Sequence, residues 1–196
     1  MAWTDLFRTG RSFGVEPRRR PPEPRPDQAW LHIRSVAADG RRHLLQYAVA
    51  DDFGAVMLSA FVRVESPVGE PTEAACAAVA GAHALDWRGL EGALSVCEGL
   101  RLTAFGAGLA RGLLPAPATD RLAGFDCARE RFVRLARRER LRLEPGEPAE
   151  LNDARALVGL PPERNPDAAL RALALRDLCR WMDGRSDRAE PRSFLQ

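Results

Sequence analysis

Three runs rich in apolar residues, joined by short glycine-containing turns, constrain the fold of this chain most. The runs cover residues 30–36, 44–50 and 56–64, and the turns lie at 39–40 and 51–54. The first run alternates, as expected when successive side chains of a strand point to opposite faces of a sheet, and the other two are apolar runs of strand length, so each run predicts a strand. Turns this short join neighbouring strands that run in opposite directions. The pattern therefore predicts a three-stranded antiparallel meander.

The remainder of the chain has mainly helical periodicity. A short apolar run at 100–105 suits a buried parallel strand. Asp126 is placed to cap the helix after it, and Pro166 opens the last helix. The predicted helices cover 72–80, 87–97, 106–114, 126–141, 151–158 and the segment from 166. The last helix has a predicted buried stripe of Leu170, Leu173, Ala174, Leu178 and Trp181. This order predicts an α/β fold, a mixed sheet of the meander plus parallel strands, flanked by helices.

Composition divides the chain into three segments. Residues 1–27 are rich in arginine and proline, residues 28–184 form the predicted domain, and residues 185–196 are interpreted as a flexible tail. The density of prolines in the first segment excludes helix and sheet. We interpret it either as a solvated leader or as a basic arm that grips phosphate or a protein partner. Three consecutive arginines carry its charge: Arg18, Arg19 and Arg20.

The basic residues other than histidine are all arginine, because the chain has no lysine, and the net charge is +2. Arginine binds phosphate through two parallel hydrogen bonds, but arginine- and alanine-rich sequences are also typical of GC-rich genomes. No apolar run reaches the roughly 20 residues of a membrane span, and the first thirty residues lack the apolar region of a secretory signal. We therefore expect a cytoplasmic protein without a membrane partner.

Four widely spaced cysteines, none in a Cys-x-x-Cys pair, are predicted to be buried free thiols rather than zinc ligands. They are Cys76, Cys97, Cys127 and Cys179.

Five segments of the chain match, in order, the motifs of one family. They are residues 44–49, 52–56, 98–107, 156–161 and 167–172. The first two resemble the second strand and the turn into the third strand of the DnaQ-like (DEDDh) 3′–5′ exonucleases. The next two resemble the strand and turn before that family's third acid and the short helix before its last motif. The last shares that motif's Ala-Leu pair. The resemblance covers about residues 28–184 and implies a ribonuclease H-like fold.

Such exonucleases hold two divalent ions between four carboxylates, and a histidine accepts the proton of the attacking water. In this chain every one of these positions carries another residue. The first two acids align with Arg34 and Val36, the third with Ala110, the histidine with Asp167 and the last acid with Ala172. A guanidinium in place of a carboxylate repels Mg²⁺. The resemblance therefore implies a degenerate member with no catalytic residue, no metal and no cofactor.

Other acids and the histidines offer no evident replacement. Asp39, Asp51 and Asp52 lie in turns, where aspartate is common for local hydrogen bonding, and Asp177 lies one residue off the stripe of the last helix. The histidines are interpreted as surface or hydrogen-bonded residues, with His32 facing outward on its strand. The three are His32, His43 and His83.

Three functions remain open. The first is a pseudo-exonuclease that binds nucleic acid, or regulates a nucleic-acid-processing complex, without cleavage. The second is a protein-interaction scaffold that docks through the arm or through an apolar segment near the N-terminus. The third is an active metal-dependent exonuclease with relocated ligands. Seven arginines are the candidates for nucleic-acid binding: Arg18, Arg19, Arg20, Arg34, Arg134, Arg137 and Arg138.

Overall fold

A computed structural model gives the structure, which describes residues 25–186 apart from 39, 63–83, 142 and 144–146. The strands are β1 Gln28–Ala38, β2 Arg41–Asp51, β3 Val56–Val62, β4 Ala84–Leu85, β5 Arg101–Ala104 and β6 Gly124–Cys127. The α-helices are α1 Trp87–Ala93, α2 Ala107–Gly112, α3 Ala116–Thr119, α4 Ala128–Arg138, α5 Leu151–Leu157 and α6 Ala168–Ser186. A 3-10 turn, Leu94–Cys97, follows α1.

The strands form one mixed sheet in the order β4-β3-β2-β1-β5-β6. β1 and β2, and β2 and β3, pair in antiparallel directions, so the predicted meander is confirmed. The predicted strand near 100–105 is β5, which runs parallel to β1 from Gln28↔Arg101 to Leu31↔Ala104. β6 continues the parallel part beyond β5. Short turns join the antiparallel pairs, and the helices α2 and α3 connect β5 to the parallel strand β6.

Helices cover both faces of the sheet. Alternation along β1 sends Trp30 to one face, where it packs with α4, α5 and α6, and sends Ala29 and Leu31 to the other. That second face packs against α1, the 3-10 turn and the helices α2 and α3. The long strands β1 and β2 therefore lie between the two layers of helices, and β1 contributes buried residues to both cores.

Several elements differ from the sequence-based expectation. β4, β6 and α3 were not predicted. Asp126 does not cap a helix: it lies in β6, and its carboxylate accepts a hydrogen bond from Nη1 of Arg101 at 3.1 Å, while α4 begins two residues later. Leu170 was expected to be buried but is 39% exposed. The predicted helix 72–80 and the end of the third predicted strand, 63–64, lie outside the described residues.

The turn between β2 and β3 is anchored to the last helix by a buried carboxylate. Asp52 is 4% exposed, and its Oδ1 lies 4.0 Å from Nε of Arg176 and 3.7 Å from Nε of Arg180. Nε of Arg176 also donates to the backbone oxygen of Asp52 at 2.9 Å. Gly54 has a φ of +96°, and a side chain there would meet the Arg176 guanidinium. Glycine fits both the positive φ and this close approach.

The described elements begin with β1 and end with α6. β1 begins at Gln28, and α6 continues to Ser186, two residues into the predicted tail. Arg18, Arg19 and Arg20 lie outside the described residues. Among the residues that the structure describes, no helix has the length and hydropathy needed to cross a membrane.

Two of the four cysteines are buried as predicted. Cys97 and Cys179 lie in the two cores, and burial raises the pKa of the Cys97 thiol to about 11. Cys127 is only half-buried, and Cys76 lies outside the described residues. A raised thiol pKa keeps the sulfur protonated at neutral pH, as expected for a structural cysteine.

Candidate functional site

The central cleft of the molecule opens where two parallel strands separate. β5 ends at Ala104, opposite Leu31, but β1 continues beside β2 as far as Ala38. The cleft beside this extension of β1 has a volume of about 360 Å³ and is bounded by α2, by the segment before α5 and by α6. The carboxyl ends of parallel strands are a common ligand-binding position in sheets with helices on both faces.

The polar side chains of the cleft are mainly basic. Arg42 of β2, Arg171 of α6 and His32 of β1 line it, and Glu150 is the acidic side chain among its lining residues. Nη1 of Arg42 donates to Oγ of Ser35 at 3.3 Å, and Nε of Arg171 donates to the backbone oxygen of Asn165 at 3.3 Å. A guanidinium has five N–H groups, so each arginine keeps donors beyond these bonds. The cleft is therefore suited to an anion.

The expectation that His32 faces outward is wrong. The residue is half-buried and lines the cleft, because β1 turns its even-numbered side chains toward α6 at this point. Burial, together with the positive charges of Arg171 and Arg34, lowers the pKa of its imidazole to about 4. His32 is thus neutral at pH 7 and offers a hydrogen bond rather than a charge.

Two of the aligned metal-pocket positions are brought together by a buried amide. Gln46 is 1% exposed; its Oε1 accepts from Nη1 of Arg34 at 3.2 Å, and its Nε2 donates to Oδ2 of Asp167 at 3.1 Å. The backbone N–H of Ala168 also donates to Oε1 of Gln46 at 3.3 Å. Arg34 and Asp167 therefore belong to a hydrogen-bonded network that joins β1 and β2 to the start of α6.

Asp167 also caps the last helix. Its Oδ1 accepts the backbone N–H of Ala169 at 2.7 Å and that of Leu170 at 3.4 Å. Burial alone would raise the pKa of the carboxyl, but the hydrogen bonds from Gln46 and the two amides, with the charge of Arg34, lower it below the usual value. These contacts explain Asp167 as a helix cap.

The side chains of the other three aligned positions are apolar and make no hydrogen bond in this network. Ala110 of α2 is buried and lines the cleft. Ala172 is also buried, in a small cluster that α6 forms with alanines of β2. Val36 lies opposite His43, near the far end of the β1–β2 pair. The cleft itself meets β1 at Leu31 to Ile33, one to three residues before Arg34.

The arginines of α4 have partners within the chain. Nη2 of Arg137 lies 2.6 Å from Glu147, and Nη1 of Arg134 lies 4.0 Å from Glu130, one helical turn away. Nη2 of Arg138 donates to the backbone oxygen of Arg185 at 3.3 Å. All three arginines remain exposed, so their pairs are weak and solvated, but carboxylates offset part of the positive charge of this face.

The acids considered as replacement ligands do not converge within the described residues, which hold no group of three His, Cys, Asp or Glu side chains placed to bind a metal ion. Asp51 accepts the N–H of Ala55 in its turn, and Asp52 is occupied by the arginines of α6. Asp177 is exposed beside Arg176. Asp39 lies outside the described residues, as does His83.

Sequence reasoning missed the two cleft arginines and Gln46. Gln46 had a signal, since it is the polar residue inside an otherwise apolar stretch of a predicted strand, and a buried polar side chain must find partners. Arg42 and Arg171 had none, because each looks like one surface arginine among many until the strand and helix are placed side by side.

Comparison with known proteins supports the architecture. The sequence matches no protein-family model and no curated protein. Among solved structures, the catalytic unit of Neurospora crassa Pan2, which comprises a protease and a nuclease domain, superposes with a TM-score of 0.56 over 87% of this chain, at 11% identity. The fold is ribonuclease H-like. The predicted fold class is thereby confirmed, a six-stranded mixed sheet with helices on both faces. The chain spans about 30% of the length of the Pan2 chain.

Proposed function

We propose that this ribonuclease H-like domain is a pseudo-exonuclease that binds nucleic acid, or regulates a nucleic-acid-processing complex in the cytoplasm, without metal-dependent cleavage. The observation that carries the proposal is the composition of the cleft. The cleft, whose lining includes the aligned position Ala110, presents Arg42, Arg171 and a neutral His32, with Glu150 as its acid.

The chemistry of the cleft favours phosphate over metal. Two-metal hydrolysis needs several carboxylates to hold the ions close together, and guanidinium groups at that place repel them. The same groups donate paired hydrogen bonds to phosphate oxygens. A nucleic-acid backbone is the abundant polymer that offers such oxygens. The fold supports a nuclease ancestry for the domain, and the cleft supports binding as the property that remains.

Binding should be measured by fluorescence anisotropy with labelled single-stranded and duplex DNA and RNA, at several salt concentrations. We expect single-strand affinity to fall with salt with a logarithmic slope of about −0.7 for each phosphate contacted. Cleavage should be assayed on the same oligonucleotides with Mg²⁺ or Mn²⁺. Absence of binding at low salt would remove the nucleic-acid role, and chelator-sensitive cleavage would establish an active enzyme with relocated ligands.

A protein-interaction scaffold is the second candidate, and one surface favours it. Phe53 is 65% exposed in the turn after β2, and Val56 and Met57 at the start of β3 are 42% and 37% exposed. Adjacent exposed apolar side chains are typical of protein contact sites. If the full chain binds no nucleic acid but retains a protein partner that Phe53→Ser releases, this second function replaces the first. The N-terminal segment 1–27 is a further proposed contact for either kind of partner.

A further inference from the structure

The cleft beside β1 has two chemically different walls. Arg42 and Arg171 provide positive charge from β2 and α6. Phe105 and Leu109, at the end of β5 and in α2, provide an apolar surface, and Leu109 is 45% exposed despite its size. A ligand that contacts both walls must carry an anionic group next to a flat apolar group. A nucleotide has this combination, since its phosphate is joined through the sugar to a base with a π-face.

The charges and hydrogen-bond donors of the cleft indicate which phosphate fits. At pH 7 the two guanidinium groups contribute two positive charges and His32 contributes none, while the carboxylate of Glu150, just before α5, offsets one of the positive charges. A phosphate inside a strand is a diester with one negative charge. A terminal phosphate is a monoester with a charge between −1.5 and −2 at this pH and three acceptor oxygens. The monoester therefore offers the two forked donors three free oxygens, whereas the diester offers two oxygens and less charge.

The shape of the cleft favours an end over a continuous strand. The cleft holds about 360 Å³, near the lower end of the range for ligand pockets, and is bounded by the end of β5, by α2 and by the segment around Glu150. A space of this size takes one nucleotide unit. A base-paired duplex would first have to separate at its terminus to enter it.

We propose that the cleft binds the phosphorylated end of a single-stranded nucleic acid, with the terminal phosphate monoester between Arg42 and Arg171 and the terminal base against Phe105 and Leu109. This inference rests on the proposed nucleic-acid role. It adds that the domain recognises one kind of strand end, and that two arginines hold its terminal phosphate. His32 supplies a neutral hydrogen-bonding group at the same place.

The test compares three oligothymidylates of one length and internal label, which end in a 5′-phosphate, a 3′-phosphate or hydroxyl groups only. Thymine has no group that titrates near neutral pH, and the three oligonucleotides share one sequence, so they differ only at their ends. We expect one phosphorylated oligonucleotide to bind at least about tenfold more tightly than the hydroxyl-ended one, since a hydrogen bond to a charged group is worth about that factor. Thymidine monophosphate, added as competitor, separates a strand end from a free nucleotide.

Matched variants locate the effect. Arg42→Gln/Arg171→Gln should abolish the preference for the phosphorylated end, and Arg134→Gln/Arg137→Gln, which removes the same charge from α4, should retain it. Arg42→Gln alone, at an exposed position, should reduce the preference and guards against misfolding of the double variant. Melting temperatures of all variants check that the fold is intact.

The outcomes separate the two proposals. Equal binding of all three oligonucleotides by the unaltered chain overturns the end-recognition inference and leaves the nucleic-acid role standing. Loss of the preference in the α4 variant but not in the cleft variant overturns the assignment to this cleft. Displacement by the monophosphate at the affinity of the phosphorylated strand shows a free nucleotide as the ligand instead. No binding of any oligonucleotide overturns both the inference and the proposed function.

Discussion

Individual charged side chains connect elements of this fold through ion pairs, in addition to the apolar contacts of the cores. Asp52 is the clearest case, since its buried carboxylate faces Arg176 and Arg180 of α6 from the turn between two strands. Removing one partner of a buried ion pair leaves the other charges uncompensated, which costs more than the pair itself contributes. The turn and the helix therefore depend on a residue that sequence reasoning treated as a local turn former.

Asp52→Asn keeps the shape of the side chain and removes its charge. We expect the free energy of unfolding to fall by about 1 to 3 kcal/mol, because both arginines lose the carboxylate they face. Asp51→Asn is the matched control: its side chain accepts the N–H of Ala55, which an asparagine oxygen can also do. Urea denaturation of the two variants should show a large loss for the first and a small one for the second. Equal losses would mean that the buried pairs contribute little.

His32 gives the chain a defined dependence of stability on pH. Its pKa of about 4 in the folded state lies below the value of 6.5 expected in the unfolded chain, so the unfolded state binds the proton more readily between these values. Stability contributed by the neutral imidazole is fully present above pH 6.5 and is lost as the pH falls toward 4. The loss is on the order of 1 to 3 kcal/mol, since each pKa unit corresponds to about 1.4 kcal/mol.

Denaturant unfolding at pH 7.0, 5.5 and 4.5 measures this effect. We expect the unfolding free energy of the unaltered chain to decline across the series and that of His32→Gln to decline less. Asp167 does not confuse the result, because its pKa is lowered in the folded state and its contribution is lost only below the usual aspartate range. Parallel curves for the two proteins would show that His32 is not the titrating group.

At the scale of elements, the first turn of α6 is held by one side chain with two tasks. Asp167 caps the helix through Ala169 and Leu170 and accepts a hydrogen bond from Gln46 of β2. Asp167→Ala should lower the free energy of unfolding by about 1 to 2 kcal/mol, as loss of a helix cap and of one further hydrogen bond requires. Asp167→Asn, which retains an acceptor for the helix, should lower it by less. A thermal or urea titration of the three proteins distinguishes these values, and identical stability of all three would contradict the capping role.

The elements that sequence could predict are those with a long, regular pattern. β1 to β3 are seven to eleven residues long and come from apolar runs joined by short turns, and the helices α4 and α6 have stripes long enough to identify. β6 has four residues, Gly124–Cys127, without an apolar alternation, and its place is fixed by pairing with β5. Asp126 accordingly looked like a helix cap, whereas its actual partner, Arg101, lies 25 residues earlier. Short strands specified by distant partners leave no local signal.

The site was predictable in the same uneven way. The alignment with the resembled family included Ala110, which lines the cleft, and Arg34 and Asp167, which both bond to Gln46. It did not include His32, whose place in the cleft depends on where β5 ends beside β1. Arg42 and Arg171 are 129 residues apart in sequence and line one cleft only after folding. Their common role follows from the geometry of the cleft, since neither residue type nor spacing distinguishes them from other arginines.

For the molecule as a whole, the region around Arg34, Asp167 and Ala172 is held together by contacts that need no ion. Gln46 joins Arg34 to Asp167, and the alanine cluster around Ala172 packs α6 directly onto β2. A metal site whose Kd lay a hundredfold below the concentration of the metal ion would stabilise the folded state by about 2.7 kcal/mol. In a chain of this length, that energy raises the melting temperature by roughly 5 to 10 °C.

We expect millimolar Mg²⁺ or Mn²⁺ to change the melting temperature of the full chain by less than about 1 °C relative to Na⁺ at equal ionic strength, because its stability rests on the internal contacts and not on a bound ion. A phosphorylated oligothymidylate should instead raise the melting temperature, since a ligand that binds only the folded state stabilises it. Differential scanning calorimetry compares the two additions on one sample. A rise of several degrees with Mn²⁺, reversed by chelator, would show that carboxylates do assemble a metal site and that the basic cleft works together with an ion.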